Sequence, residues 1–228
     1  MVMNNIFNQV SRKITRMWIN ASETSFLISE TVGKLRDKQT PPASFRITLK
    51  RIGNFLAYEA SKYLDTKTSS VETPLGTANF DEHKDDIVII SILRAALPMS
   101  DGVLEILPEA AVGVVSASRG KMLETDGTDF RIDCTYTSIP FLEDKVAIIV
   151  DPMLASGSTM LFLLKQLVNQ KPKKIIILCA IAAKFGIEKI LEHYPEVLIL
   201  SGAIDPILNE NGYIVPGLGD AGDRAFNT

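Results

Sequence analysis

The segment Val146-Ala-Ile-Ile-Val150-Asp151-Pro152-Met153-Leu154-Ala155-Ser156-Gly157-Ser158-Thr159 sets an acid, small residues and three hydroxyls directly after an apolar run. A helix that opens at such a loop presents unpaired backbone N–H groups and the positive end of its dipole, which together suit a phosphate. Ser156, Ser158 and Thr159 add hydroxyl donors, and Gly157 lets the backbone approach an anion closely. Asp151, where the apolar run stops, can accept hydrogen bonds from a ribose diol. The same residue types also suit an ordinary strand-to-helix turn with a hydroxyl cap. No Gly-Lys-Ser/Thr is present, so this is not a Walker loop.

Two arginines stand in matching places. Arg94 follows the apolar run Ile87–Ile92 and precedes a helical pattern. Arg119 follows Val114-Val-Ser-Ala-Ser118 in the same way. Arginine after a buried strand calls for an anionic partner, either a substrate or a carboxylate in a structural ion pair. The third candidate is the tail, Gly212-Tyr213-Ile214-Val215-Pro216-Gly217-Leu218-Gly219-Asp220-Ala221-Gly222. Its glycines satisfy G-x-G-x-x-G, but the dinucleotide reading needs a helix and another strand behind them, and only six residues remain. A glycine-rich loop instead exposes main-chain donors and acceptors to the rim of a small planar heterocycle. Tyr213, Ile214, Val215, Pro216 and Phe226 call for burial and argue against a disordered tail. His83 and His193 sit in polar stretches and read as surface residues.

These segments need a frame. Ile87–Ile92, Ala111–Val115, Val146–Val150, Ile175–Ile181 and Val197–Leu200 are short runs rich in Val and Ile, bounded by Gly, Pro or charge. They read as fully buried strands of a parallel sheet. Helical patterns at Pro98–Leu107, Ser158–Asn169 and Ile187–His193 alternate with them. That alternation predicts right-handed crossovers and a doubly wound α/β sheet, whose ligands sit beyond the carboxyl ends of the strands. Phe45, Leu49, Ile52, Leu56, Ala60 and Leu64 recur at helical spacing behind Pro41-Pro42. Residues 116–141 break the rhythm around Asp126-Gly127 and predict an antiparallel β-arm protruding from the sheet.

Residues 1–22 carry Arg12, Lys13 and Arg16 without an acid before position 23, and read as an N-terminal extension. Residues 23–228 read as one domain. The longest apolar run, Ile175–Ala183, is nine residues, whereas a spanning helix needs about 20. Lys+Arg 24 against Asp+Glu 27 gives net charge −3, which disfavours nucleic acid as the main partner. Cys134 and Cys179 form no disulfide framework and no metal-ligand spacing, so a reducing cytoplasm is the expected setting.

Together the segments resemble the uracil phosphoribosyltransferases, a family of type I phosphoribosyltransferases, over about residues 33–228. The resemblance is carried by Leu35-Arg36-Asp37, Phe45-Arg46, Tyr58-Glu59-Ala60, Ile92-Leu93-Arg94-Ala95, Asp101-Gly102-Val103-Leu104-Glu105 and Asp151-Pro152-Met153-Leu154-Ala155. Its most specific part is Pro216-Gly217-Leu218-Gly219-Asp220-Ala221-Gly222-Asp223-Arg224. The Ser158-Thr159 ending of the loop is similar to an archaeal branch.

The resemblance implies the type I phosphoribosyltransferase fold and a reaction. Uracil and 5-phosphoribosyl 1-diphosphate would give UMP and diphosphate, with Mg²⁺ carried on the substrate's diphosphate and no metal ligands of the protein's own. It implies Arg94, Arg119, Asp151 and Asp220 as catalytic residues. The two arginines would hold the diphosphate, the loop Asp151–Thr159 the ribose 5-phosphate, and Ile214, Gly219, Asp220 and Ala221 the uracil. Asp220 would also face the phosphoribosyl group. It further implies a homodimer or higher oligomer, and GTP and pyrimidine nucleotides as effectors. Two rival readings stand beside it, apart from a nucleotide-sensing module with dead chemistry, against which the retained Arg94, Asp151 and Asp220 speak. Another base, hypoxanthine or orotate, is one, although the uncharged Ile214–Leu218 offers no cation for orotate's carboxylate. An RNA-binding regulator on the same fold is the other, and would need a basic face.

Overall fold

Val and Ile stack well on a pleated surface, so the apolar runs become strands, and buried polar backbone forces those strands to pair with one another. The computed structural model describes residues 17–124 and 126–228. Its first half contains β1 (Trp18–Asn20), α1 (Phe26–Arg36), α2 (Pro42–Ser61), β2 (Thr66–Thr73), β3 (Gly76–His83), β4 (Ile87–Leu93), α3 (Leu97–Ile106) and β5 (Ala111–Met122). There follow β6 (Phe130–Ser138), β7 (Val146–Val150), β8 (Met153–Leu154), α4 (Ser158–Leu167), β9 (Lys174–Ala183), α5 (Lys184–His193) and β10 (Leu198–Asp205). The tail holds β11 (Ile207–Leu208), β12 (Ile214–Val215) and α6 (Ala221–Phe226).

The main sheet runs β1-β10-β9-β7-β4-β5-β6, and all its pairs are parallel except β5–β6. Successive residues of each central strand face opposite layers. Ile87 and Ile89 pack with α1, α2, α3 and α6, whereas Val88 and Ile90 pack with α4 and α5. Helices therefore cover both faces, as the strand–helix alternation predicts. From β4 the chain moves outward to β5, and later returns on the other side of β4 as β7. The sheet thus reverses its winding between β4 and β7, where an open α/β sheet leaves a crevice at its carboxyl edge.

The structure differs from the sequence reading in four places. Trp18–Asn20 pair with β10, so part of the stretch read as an extension belongs to the sheet edge, while residues 1–16 lie outside the described residues. The strand read as Ala111–Val115 continues to Met122, because β6 pairs along it through register shifts at Ser116/Ala117 and Arg119/Met122. Arg119 consequently lies within a strand and not after one. The β5–β6 hairpin does not project away: buried Gly127 at its tip lies against Asn209 and Gly212 of the tail. The hairpin that does stand out is β2–β3, exposed along nearly its whole length. Solvent on both of its faces removes the apolar alternation by which strands are recognised.

Among the described residues no helix is long and apolar enough to cross a membrane. Helices α2 and α3 approach until Gly53 meets the Met99 carbonyl and Gly102 meets the Lys50 carbonyl. On helix propensity alone, alanine at Gly53 gains about 1 kcal/mol. Here the added methyl strikes backbone that cannot yield, and the sign reverses. Gly53→Ala is expected to lose on the order of 2 kcal/mol, a fall in Tm of about 4–8 °C. Thermal unfolding of the variant measures this, and an unchanged or raised Tm refutes the close approach.

Candidate active site

The crevice at the switch point is a cleft of about 700 Å³. Arg94, at the end of β4, and Arg119, on β5, line one side. Asp151 and the loop Met153–Thr159 form its floor, and Gly212–Ile214 with Leu218–Asp220 close the far wall. Four separate stretches of the chain, at Arg94, Arg119, Asp151–Thr159 and Gly212–Asp220, therefore share one space. Of the residues singled out in the sequence, Pro152 and Ala221 alone do not line the cleft; both are buried behind it.

The floor is built by β7 and α4. Every residue of β7 is buried, and Asp151 is the first residue past it. Met153 and Leu154 then pair with β9 as the short strand β8, which holds the loop against the sheet. Gly157 turns the chain with φ +81° and caps α4. Desolvation pushes the Asp151 pKa up to about 6; the Met153 N–H, 3.4 Å away, and the charge of Arg119 pull the other way. Ser156 and Ser158 are buried, with their hydroxyls 3.1 Å apart. Ser158 also donates to Asp129 at 2.8 Å and accepts from the Phe130 N–H at 3.3 Å. Lys189, on α5, donates to the same Asp129 oxygen at 3.1 Å.

Both arginines are exposed to the cleft and neither forms a salt bridge among the described residues, so the structural ion pair is not what holds them. Arg94 lies 5.6 Å from the Phe226 ring centre and donates to the Thr228 hydroxyl at 3.2 Å. Arg119 lies 5.0 Å from the Phe130 ring and donates to the Gly212 carbonyl at 3.1 Å. The Leu93–Arg94 peptide is cis.

Burial of large side chains orders the tail only in part: Leu218 is buried and Phe226 packs half-buried against the core. Ile214 is buried as expected, whereas Tyr213 is 47% and Val215 38% exposed, and Pro216 is exposed. Polar anchors hold it as well. Asp205, 5% exposed, accepts both guanidinium nitrogens of Arg36 at 2.7 and 2.8 Å and the Gly217 N–H at 2.8 Å. Arg224 donates to the carbonyls of Leu35, Asp37 and Leu218 and stacks on Phe45, 4.3 Å from the ring centre. Arg46 reaches the Ala225 carbonyl at 2.6 Å. Asp220 caps α6 through the Asp223 N–H at 2.9 Å. Reading by residue type alone missed this scaffold. The motifs Leu35-Arg36-Asp37 and Phe45-Arg46 were its signal, but nothing in their local pattern names partners nearly 170 residues or more away.

The arrangement can bind an anion at each end and a flat, uncharged group between them. It offers no activated nucleophile: burial raises the Cys179 thiol to about 12, and His83 and His193 are exposed outside the cleft. A doubly wound parallel sheet with a hydroxyl-rich loop at its switch point defines the class, a type I phosphoribosyltransferase. The family model of uracil phosphoribosyltransferase matches residues 22–228. The uracil phosphoribosyltransferases of Thermococcus gammatolerans and Sulfurisphaera tokodaii are each 44% identical to this chain, over 90% and 85% of it and 91% and 92% of their own lengths. The AQ2163 protein from Aquifex aeolicus superposes with a TM-score of 0.83 at 36% identity, covering 92% of this chain and 97% of its own. The chain belongs to the uracil phosphoribosyltransferase family.

The raised pKa of Asp151 has a measurable consequence. A carboxyl whose folded pKa exceeds its unfolded value stabilises the fold when protonated. That contribution is full below its ordinary 3.8 and is lost as pH rises through about 6. Asp151→Asn, which is never charged, should therefore stabilise the free protein by up to about 3 kcal/mol at pH 8, with the gain vanishing toward pH 4. Urea unfolding of both proteins at the two pH values reads it; an equal gain at both, or a loss at pH 8, contradicts the assignment.

Proposed function

We propose that the chain transfers the phosphoribosyl group of 5-phosphoribosyl 1-diphosphate to uracil, forming UMP and diphosphate as in pyrimidine salvage. The observation that carries this reading is the single cleft in which the loop after β7, two arginines without a salt bridge among the described residues and the glycine-rich tail meet. The ribose 5-phosphate takes the N–H groups and hydroxyls of the loop Ala155–Thr159, and Asp151 accepts from the ribose hydroxyls. Arg94 and Arg119 take the diphosphate, and Asp220 faces the phosphoribosyl group. Uracil meets main-chain groups of Ile214, Gly219 and Asp220, which line the cleft, with Ala221 buried behind them.

In the transfer, uracil N1 bonds to the anomeric carbon as the bond from that carbon to the diphosphate oxygen breaks, the bonding pair leaves with the diphosphate, and the N1 proton passes to solvent. Positive charge builds on the ring and negative charge on the leaving diphosphate. The two guanidinium groups stabilise that negative charge where it grows, and alignment of N1 with the anomeric carbon supplies the rest. Mg²⁺ fits this site as part of the substrate. Cationic side chains dominate the diphosphate end, and among the described residues no three acidic, His or Cys side chains converge into a cage. When bound on the diphosphate, it neutralises further leaving-group charge. A fixed backbone acceptor facing uracil N3, a donor, rejects cytosine, whose N3 is an acceptor.

The same reading includes a homodimer or a larger assembly. The β2–β3 hairpin supports it: Val71 and Phe80 are about half exposed and Leu75 fully so, and a lone two-stranded hairpin is marginal in water.

Two experiments test these proposals. The purified protein with uracil, phosphoribosyl diphosphate and Mg²⁺ should form UMP, with cytosine used at least about 10⁴-fold less well. Arg94→Ala should raise the KM for phosphoribosyl diphosphate by roughly 10–100-fold. Folded protein that makes no UMP ends the proposal. In light scattering, the 25.0 kDa chain should appear as a species of about 50 kDa or more, and a 25 kDa species alone would refute the assembly.

A further inference from the structure

Asp129 lies near the tip of the β5–β6 hairpin, in a segment with no assigned part in the transfer. Its carboxylate nevertheless meets the floor of the cleft. Ser158, the first residue of α4, donates its hydroxyl to Asp129 at 2.8 Å, and Lys189 on α5 donates to the same oxygen at 3.1 Å and to the Thr128 carbonyl at 3.0 Å. The neighbouring Phe130 N–H donates to Ser158, and its ring lies under the Arg119 guanidinium. One carboxylate therefore ties the hairpin to the loop, and the hairpin's next residue supports an arginine of the cleft. This contact orients the Ser158 hydroxyl, which also lies 3.1 Å from that of Ser156, and so fixes the loop that would meet an anion.

We propose that Asp129 is a positioning residue for phosphoribosyl transfer, docking the hairpin on the phosphate loop through Ser158 and thereby holding Phe130 beneath Arg119. This rests on the reading that the loop and Arg119 bind the two ends of phosphoribosyl diphosphate. Lys189 makes the arrangement compatible with that substrate, because it offsets the negative charge that Asp129 would otherwise present to an arriving phosphate. Desolvation raises the Asp129 pKa, but the Ser158 hydroxyl and the Lys189 charge outweigh it and hold the carboxyl below its ordinary value, so it is ionised at neutral pH. The tail touches the hairpin at Gly212 but carries its own anchors through Arg36, Asp205 and Arg224, so the effect of Asp129 falls more heavily on phosphoribosyl diphosphate than on the base.

The test is a double-mutant cycle read in KM and kcat for each substrate. Asp129→Ala should raise the KM for phosphoribosyl diphosphate roughly tenfold, change the KM for uracil less than about twofold, and shift Tm by no more than about 2 °C. In a Ser158→Ala background the same change should cost less than about twofold, since both act through one bond. Asp129→Asn keeps an acceptor oxygen and should restore most of the affinity. A merely structural role would lower Tm and leave both KM values in place, and that result overturns the proposal, as do effects of the two substitutions that multiply. Should Asp129→Ala fold poorly, Lys189→Gln interrogates the same link from α5, with a rise of about threefold expected and no change counting against it. Arg94→Ala is the control. If it raises KM while Asp129→Ala does not, only this inference falls; if both are silent, the assignment of the cleft falls with it.

Discussion

Asp205 ends β10 with its carboxylate almost wholly removed from water, and a charge there must be matched by donors or it expels itself. Arg36 meets it with a planar two-pronged contact, and the Gly217 N–H takes a further place on it. The partners come from the first helix and from the tail, so one buried anion sets where both lie. Removing one member of such a pair costs on the order of 3–5 kcal/mol, because the other is left stranded. Without this knot the glycine-rich loop would lose its direct tie to the end of β10, and main-chain groups can recognise a heterocycle only when their positions are fixed.

The cleft reverses the usual relation between burial and charge. Its arginines are exposed, while its acid, Asp151, is desolvated enough to titrate near pH 6. Two cations that form no salt bridge among the described residues make a field suited to an anion, and a desolvated carboxylate gains from hydroxyl donors or a cation placed beside it. On the proposed reading, the free protein holds its charges in an arrangement that the substrate would complete. Positions of this kind sacrifice stability for binding, as functional sites commonly do.

A single strand serves two tasks here. The first part of β5 pairs in parallel with β4 and belongs to the buried sheet, whereas its extension pairs with β6 and leans over the cleft. The register shift at Ser116/Ala117 falls where pairing with β4 ends, and that at Arg119/Met122 lies within the extension. Bulges at such places redirect side chains without ending the strand. The rigid sheet thereby carries a segment whose tip reaches the phosphate loop and the tail at once.

Residue types along the chain were sufficient for the frame. Strands β4, β7 and β9 are buried on both faces, and only unbroken Val and Ile runs satisfy that environment, so they could be read directly. The loop after Val150 was equally legible, because an acid, hydroxyls and glycine at a strand end have few other uses. Hairpin β2–β3 was not, since water on both sides imposes no pattern. Nor were the pairings of Arg36 with Asp205, of Arg224 with Phe45, or of Ser158 with Asp129. Backbone periodicity is a local property that each segment expresses alone, and it determined the sheet, its helices and the chemistry available at its edge. Contact between distant polar groups exists only after the layers have packed, and so the tertiary structure alone decided which charges meet, which stay open to the cleft, and where the tail comes to rest.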